Sequence, residues 1–438
     1  MGFISSIIWR KDDEKIMPDS LKPPQPKKIP KVHSAHGDVR IDDYYWLRDD
    51  TRKDPEVISY LEAENQYLED WFASKDDCRQ EIYDELVSFI PPHEVSMKIN
   101  YGDYLYFSEI SSDQQYKTYY RELDGTKELV LDVNVLAKDL DYFNVASLTP
   151  SSDNLLIAYA EDLSGRREYN IKVKDLASGK IIDSAIERSS GSVVWDKQNT
   201  SIYYAQKDPV TLIENKVYKH KLGTDSSEDI LIYEEHDTEF HLNIYESRTK
   251  KYLYIYISKT EASETWLLDL EVEASEPFCI LTRSEKHLYS VEDTPECFYA
   301  ISDADDKKNF ALLKFSHAQI NDYKSWETVI EHNSAMLIED FEAFPDYIYL
   351  EVREDGLPKI LKMHRQTLDK QYIEFSEPAF SCYLATNNEY LANEFYYGYS
   401  SPKKPSSIFK EDITTGTSEL VWQQSVSNFD ENLYEVER

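Results

Sequence analysis

The chain has 438 residues, a formal net charge of −35, 41% hydrophobic residues, 34 tyrosines and only 11 glycines. That length predicts several domains or one large repeat array, and the acidity repels nucleic acid and anionic lipid while attracting cationic ligands. Scarce glycine argues against a Rossmann or P-loop protein, and abundant tyrosine leans toward β structure.

The charge is uneven. Residues 1–40 hold eight Lys/Arg against five Asp/Glu, a net of +3, which leaves −38 on the remainder. Acidity of this kind also serves solubility alone. The four cysteines, Cys78, Cys279, Cys297 and Cys382, form no CxxC and no Cys/His cluster with zinc spacing. Scattered thiols fit a reducing compartment, so a cytoplasmic protein is expected. No apolar run reaches the roughly 20 residues of a membrane span. No metal, cofactor, nucleic acid or membrane is expected.

In chain order, MGFISSIIWR lacks the n-region and cleavage site of a signal peptide. It fits the loose myristoylation pattern, with bulky Phe3 beside Gly2 weighing against lipidation. Residues 1–21 are expected to be a disordered leader. PDSLKPPQPKKIPK at 18–31 reads as an extended, polyproline-like arm. RIDDYYWLRDD at 40–50 sets three aromatics between two aspartate pairs. Two helices follow. Asp54 caps the first and Pro55 suits its first position, with Val57, Leu61, Leu68 and Phe72 on one stripe. The second runs from about Asp76 to Phe89, with Ile82, Leu86 and Phe89 apolar, and Pro91-Pro92 ends it.

Beyond Pro92 helical spacing gives way to short alternating runs such as YLYFSEI, LLIAYAED, YLYIYIS and YIYLEVR, the mark of strands and hairpins. One apolar marker per unit falls at Leu105, Leu155, Ile202, Leu253, Phe298, Ile348 and Leu391, with spacings of 50, 47, 51, 45, 50 and 43 residues. A period in the forties with several strands per repeat predicts a β-propeller, and seven markers predict seven blades. An irregular β-sandwich or two stacked β domains is the competing fold.

No catalytic machinery is evident. The nearest match to G-x-S-x-G is Gly398-Tyr399-Ser400-Ser401-Pro402, which lacks the second glycine and the strand-turn-helix setting. HExxH is absent. His236 and His241 lack a third ligand. Paired aspartates arise by chance among 83 acids. Arg166-Arg167 reads as a solvated turn.

The run KIPKVHSAHGDVRIDDYYWLRDDTRKDPEVISYLEAENQY resembles the N-terminal signature of the prolyl oligopeptidase family, most of all its oligopeptidase B (protease II) branch. The likeness continues through LIAYAEDLSGRREYNIKVKDLASGK, KDPVTLIENKVYKHKLGT and YYGYSSPKKPSSIF, over roughly residues 25–435. The resemblance implies a seven-bladed propeller that limits access to an α/β-hydrolase domain. That domain is built from the N-terminal arm plus a large C-terminal segment carrying the catalytic Ser, Asp and His and the acids that select Arg or Lys.

Because this sequence stops at NFDENLYEVER, no family catalytic residue carries over, and the hydrolase domain is expected to be absent. The expected organisation is leader 1–21, arm and helices 22–92, propeller 93–430 and truncated linker 431–438. Tyr44, Tyr45, Trp46, Leu47, Arg48 and Asp49 are then implied to dock on the hydrolase; packing on the helices at 56–90 is the alternative. The chain is expected to gate short basic peptides for a serine endopeptidase cleaving after Arg or Lys. Alone it is inactive; a split enzyme is completed by a hydrolase half in trans. An interrupted or truncated gene fits equally. The rivals are a free-standing propeller used as a binding scaffold and an enzyme with its site in the propeller channel.

Overall fold

A computed structural model describes residues 21–438. The expected leader, bar its last residue, and the lipidation pattern at Gly2 lie outside the described residues. The chain divides into two compact units, 1–90 and 91–438.

In the first unit the proline-rich stretch from residue 21 to 30 has no regular secondary structure. It leads into a hairpin of β1 (Lys31–Ala35) and β2 (Asp38–Asp42), paired antiparallel from Lys31↔Asp42 to Ala35↔Asp38. Its two-residue turn, His36-Gly37, has φ of 55° and 79°, the left-handed pair that matches strand twist. A 3-10 turn, Tyr45–Leu47, follows. Helix α1 (Pro55–Phe72) starts where Asp54 accepts the Glu56 N–H at 2.9 Å, with Pro55 in its first turn. Helix α2 (Asp76–Ser88) comes after one further 3-10 turn. The apolar stripe of α1 is not buried as a whole. Val57 is, but Leu61 and Leu68 are exposed, as are Ile82, Leu86 and Phe89 in and just beyond α2. Two helices and a hairpin supply too little partner surface to cover them.

The second unit is almost wholly antiparallel β. Its strands form six sheets in chain order: one of five strands (93–132), one of seven (144–234), and four of four (241–281, 289–330, 336–372, 381–423). The expected seven blades are therefore corrected: five sheets are blade-sized, and the second in chain order is a single seven-stranded sheet. The cause is one strand of 15 residues, Ile181–Trp195. Its first part pairs with Tyr169–Asp175, up to Tyr169↔Ser189. Its second part pairs with Ser201–Lys207, from Ser189↔Gln206 to Trp195↔Ile202. The stretch ERSSGSVVW holds Ser and Gly residues common in turns, yet the chain only bends there. Arg188 and Gly191 take φ of 56° and 95°, and a Cβ on Gly191 would press on Ala146 and the Tyr169 ring at 3.1 and 3.2 Å. Two markers, Leu155 and Ile202, fall in this one sheet, so counting markers overcounts sheets.

Neighbouring sheets pack through buried apolar clusters. Ile255, Leu253 and Ala205 join the second and third sheets, and Phe298, Tyr254 and Leu313 the third and fourth. Ile348, Tyr299 and Leu361 join the fourth and fifth, and Tyr349, Phe395 and Phe344 the fifth and sixth. The first sheet joins the second through Tyr106, Ile157 and Phe143. Each fully buried Leu, Ile or Phe among them contributes roughly 1.5–3 kcal/mol. Between the sixth sheet and the first the contact is polar. Trp422 Nε1 donates to Val95 O at 2.7 Å, Gly102 N to Glu389 Oε1 at 3.2 Å, and Asn388 Nδ2 to Asn100 O at 3.5 Å.

Candidate functional site

The first strands of the last four sheets share a pattern. In His241–Glu246, Tyr289–Asp293, Met336–Ala343 and Ser381–Leu384, buried residues alternate with residues open to solvent. Period two sends Leu242, Ile244, Val291, Phe341 and Cys382 into the cores between sheets. The opposite faces carry Asn243, Tyr245, Glu292, Asp340, Glu342 and Tyr383.

These faces converge on Arg248, just beyond the first strand of the third sheet. Its Nη1 donates to Glu292 Oε1 in the fourth sheet at 2.6 Å and to Ala343 O in the fifth at 2.7 Å. Its Nε donates to Asn387 O, following the first strand of the sixth sheet, at 2.7 Å. First strands of four successive sheets meet at one guanidinium only if they surround a common axis. Glu292 Oε2 also accepts Ala343 N at 2.6 Å, and Glu342 Oε2 accepts Asn387 Nδ2 at 2.8 Å.

The axis is acidic. Burial pushes the Glu292 carboxyl up to about 7, with Arg248 and the Ala343 N–H pulling the other way. Burial pushes Glu342 up to about 8; Arg248 opposes this, and Glu292 and Asp340 add to it. Asp340 and Asp293 are also raised by burial. Tyr245 is 41% exposed, and Asp340 is exposed too, although strands enclose both. That combination describes a wall enclosed by strands yet open to solvent, so the desolvation of Asp340 is incomplete. Chemically the wall is a set of carboxyl groups, all raised by burial, that favours a cation over an anion.

No nucleophile is lifted out at the sequence's nearest match to a hydrolase elbow: Gly398-Tyr399-Ser400 lies inside the strand Glu394–Ser401. His220, held between Asp183 and Asp229, is inaccessible, so no substrate reaches it. Among the described residues no group of three or more His, Cys, Asp or Glu side chains is placed to hold a metal ion.

The six arm residues sit in the first unit. Tyr44 is exposed, with Lys28 over its ring at 5.9 Å. The Tyr45 ring carries Lys31 Nζ at 3.3 Å and meets His33 at 5.0 Å. Trp46 Nε1 donates to Lys27 O at 2.8 Å, and its ring meets Tyr60 of α1 edge-on at 6.2 Å. Leu47 is half-buried. Arg48 pairs with Asp50 at 3.0 Å, which raises the guanidinium pKa. Asp49 accepts from Asp54 N, Lys53 N, Thr51 N and Thr51 Oγ1 at 2.6–2.9 Å. These bonds, from Asp54 N first, hold its carboxyl well below the usual range. Trp46 and Asp49 thus brace the arm internally, while Tyr44 and Arg48 face outward. Sequence reasoning missed Arg248, Glu292, Asp340 and Glu342. The available signal was an acid in alternation inside an apolar run, YSVED and LIEDFEA, at one place in the repeat.

A family model described as the prolyl oligopeptidase N-terminal β-propeller domain matches residues 23–424. Dipeptidyl aminopeptidase BI of Pseudoxanthomonas mexicana is 30% identical over 441 residues, across 96% of this chain and 60% of that protein. Protease 2 of Moraxella lacunata is 31% identical over 417 residues, across 93% and 59%. The structure of oligopeptidase B from Leishmania major superposes with a TM-score of 0.89 at 27% identity, across 96% of this chain and 63% of that one. The chain spans about 60% of the length of the curated relatives it matches.

Proposed function

Since this chain belongs to the prolyl oligopeptidase family, through that family's N-terminal β-propeller domain, we propose that it is the substrate-gating, non-catalytic portion of an oligopeptidase B-like serine endopeptidase. The full enzyme cleaves short peptides after Arg or Lys. An α/β-hydrolase portion, of the kind implied by the resemblance, supplies the chemistry and docks on the arm. The observation that carries the reading is the extent of the match: nearly all of this chain against about 60% of each relative.

Two features of the molecule support it. The axial channel is lined by Glu292, Asp340 and Glu342, which suits basic peptides. The first unit leaves Val32, Val39, Ile41, Tyr44, Leu61, Leu68 and Leu86 exposed, an apolar surface of the sort a partner covers. The four cysteines are unpaired, which fits the proposed cytoplasmic setting.

The test is turnover of an Arg-Arg fluorogenic peptide by the purified chain, alone and with a separately produced hydrolase portion of a relative. Serine-inhibitor-sensitive turnover only in the mixture, weakened by Trp46→Ala, is expected. Robust turnover by the 438 residues alone overturns the reading. A stable monomer with no affinity for any hydrolase portion favours the free-standing scaffold instead.

A further inference from the structure

The loop after the first strand of the sixth sheet, residues 385–392, does more than connect strands. It crosses the axis. Asn387 O accepts from Arg248 Nε at 2.7 Å, and Tyr390 N donates to Arg248 O at 3.1 Å, so it is tied to the third sheet. Asn387 Nδ2 reaches Glu342 of the fifth sheet at 2.8 Å. Tyr390, 4% exposed, accepts at its hydroxyl from Arg365 Nη1 at 2.8 Å. Glu389 Oε1 accepts from Gly102 N of the first sheet at 3.2 Å. The loop therefore holds the first, third and fifth sheets from a root in the sixth, which no peripheral turn can do.

The axial space left beside it is a cavity of about 260 Å³ bounded by Tyr101, Thr149, Trp195, Glu246, Lys250 and Glu389. That is smaller than the roughly 300–1,000 Å³ of pockets that take drug-sized ligands.

We propose that residues 385–392 form a plug that closes the axial channel at the end where the first strands terminate, and that Arg248 and Arg365 are the latches holding it. The inference deepens the gating reading and rests on it for its purpose, though not for its geometry. A channel shut at this end admits a peptide from the other end, past Asp340 and Glu292. Release of the plug opens a second way through.

Hydrogen–deuterium exchange of the full chain tests the latch without any peptidase activity. In Arg248→Met, the amides of 385–392 are expected to exchange at least tenfold faster than in the parent. The Gly102 amide, which donates to Glu389, accelerates with them. The strands Tyr252–Lys259 and Tyr347–Glu354 keep their protection. If that variant does not fold, Arg248→Lys, which keeps the charge beside Glu292 but loses the fork, shows the same pattern more weakly. Unchanged protection of 385–392, or an equal loss over every sheet, overturns the latch.

Closure is read separately. In a Cys78→Ser background, a thiol placed by Glu342→Cys, directly under Asn387 of the loop, is expected to react several-fold faster with a bulky maleimide once Arg248 is replaced. An unchanged rate alongside a released loop shows that the loop does not close the channel and overturns the plug, while the gating reading stands on its own assay.

Discussion

His220 offers the sharpest test of how the second unit is held. Its side chain is 0% exposed, between Asp183 and Asp229 at 4% and 2%. Nδ1 lies 2.6 Å from Asp229 Oδ1 and Nε2 lies 3.1 Å from Asp183 Oδ2. Both ring nitrogens face carboxylate oxygens, so both must donate, and the ring is an imidazolium. Burial alone lowers the imidazole pKa, but the bonds to Asp183 and Asp229 outweigh it and the net shift is upward.

Replacing His220 by Leu strands two buried carboxylates. Losing one partner of a buried pair costs about 3–5 kcal/mol. Asp183 keeps the Gly223 and Ala185 N–H groups and Asp229 keeps the Tyr204 hydroxyl, so the lower end, about 3 kcal/mol, applies. A group whose folded pKa is raised stabilises fully below its unfolded pKa, about 6.5 for His, and loses that contribution as pH climbs through the folded value. The gap in urea stability between the parent and His220→Leu should be widest near about pH 6 and narrow as pH rises through the raised folded value. Asp183 is depressed by the same contacts, after burial that opposes them; its contribution is lost as pH falls through the lowered value, which keeps the comparison above about pH 5. A gap that stays constant over this range, or stays below about 1 kcal/mol throughout, refutes the charged-triad argument.

Gly398→Ala puts a Cβ into the ring of Tyr383 on the neighbouring strand; that exposed ring must swing aside, at a cost near the lower end of about 1–3 kcal/mol, and a thermal melt that matches the parent denies it. Lys362→Met removes the cation that meets Glu411 Oε1 at 2.7 Å, with Glu411 5% exposed, and should cost about 3 kcal/mol by urea titration. Asp49→Ala should leave the folded sheets untouched yet speed proteolysis at residues 50–54. In the parent, the depressed Asp49 pKa keeps that turn ordered above about pH 4 and releases it as pH falls through the folded value, which the amide signals of Lys53 and Asp54 report. Asp340→Asn with Glu342→Gln should weaken binding of an Arg-containing peptide several-fold by calorimetry. Raised salt should reproduce part of that loss, because charges beyond about 8 Å are screened.

How far the sequence leads depends on what signal each feature leaves. Strands such as Tyr252–Lys259 and Tyr347–Glu354 were legible because a residue buried on one face forces alternation. The helix start at Asp54-Pro55 was legible because capping is local. The fused sheet was not: the bend at Arg188–Gly191 carries turn residues, and only the pairing partners decide whether a chain there turns back or runs on. The stripe on α1 was legible only as a stripe, because periodicity reports apolar spacing, not the presence of a partner to meet it. Of the arm, Trp46 meets Tyr60 of α1 and Lys27 within the first unit. Arg248 left no trace, because its four bonding partners lie 44 to 141 positions away.

The division of labour within the second unit follows from the same energetics. The apolar clusters between sheets supply stability without direction, since burial is roughly proportional to area. The axis is different. Holding a guanidinium and several carboxylates among strands is expensive, and a buried ion pair rarely repays its desolvation against a well-packed apolar substitute. Arg248 and Glu292, at 14% and 13% exposure, are therefore poorly explained as stabilisers. They are well explained as position-setters. A fork of donors fixes Asn387, Ala343 and Glu292 at once, and only charged, directional bonds can set three sheets and a loop in one register around an opening that must stay wet. The weak polar joint between the sixth sheet and the first meets that hub at Glu389, so the one place where the apolar clusters do not join the sheets is the place the arginine reaches.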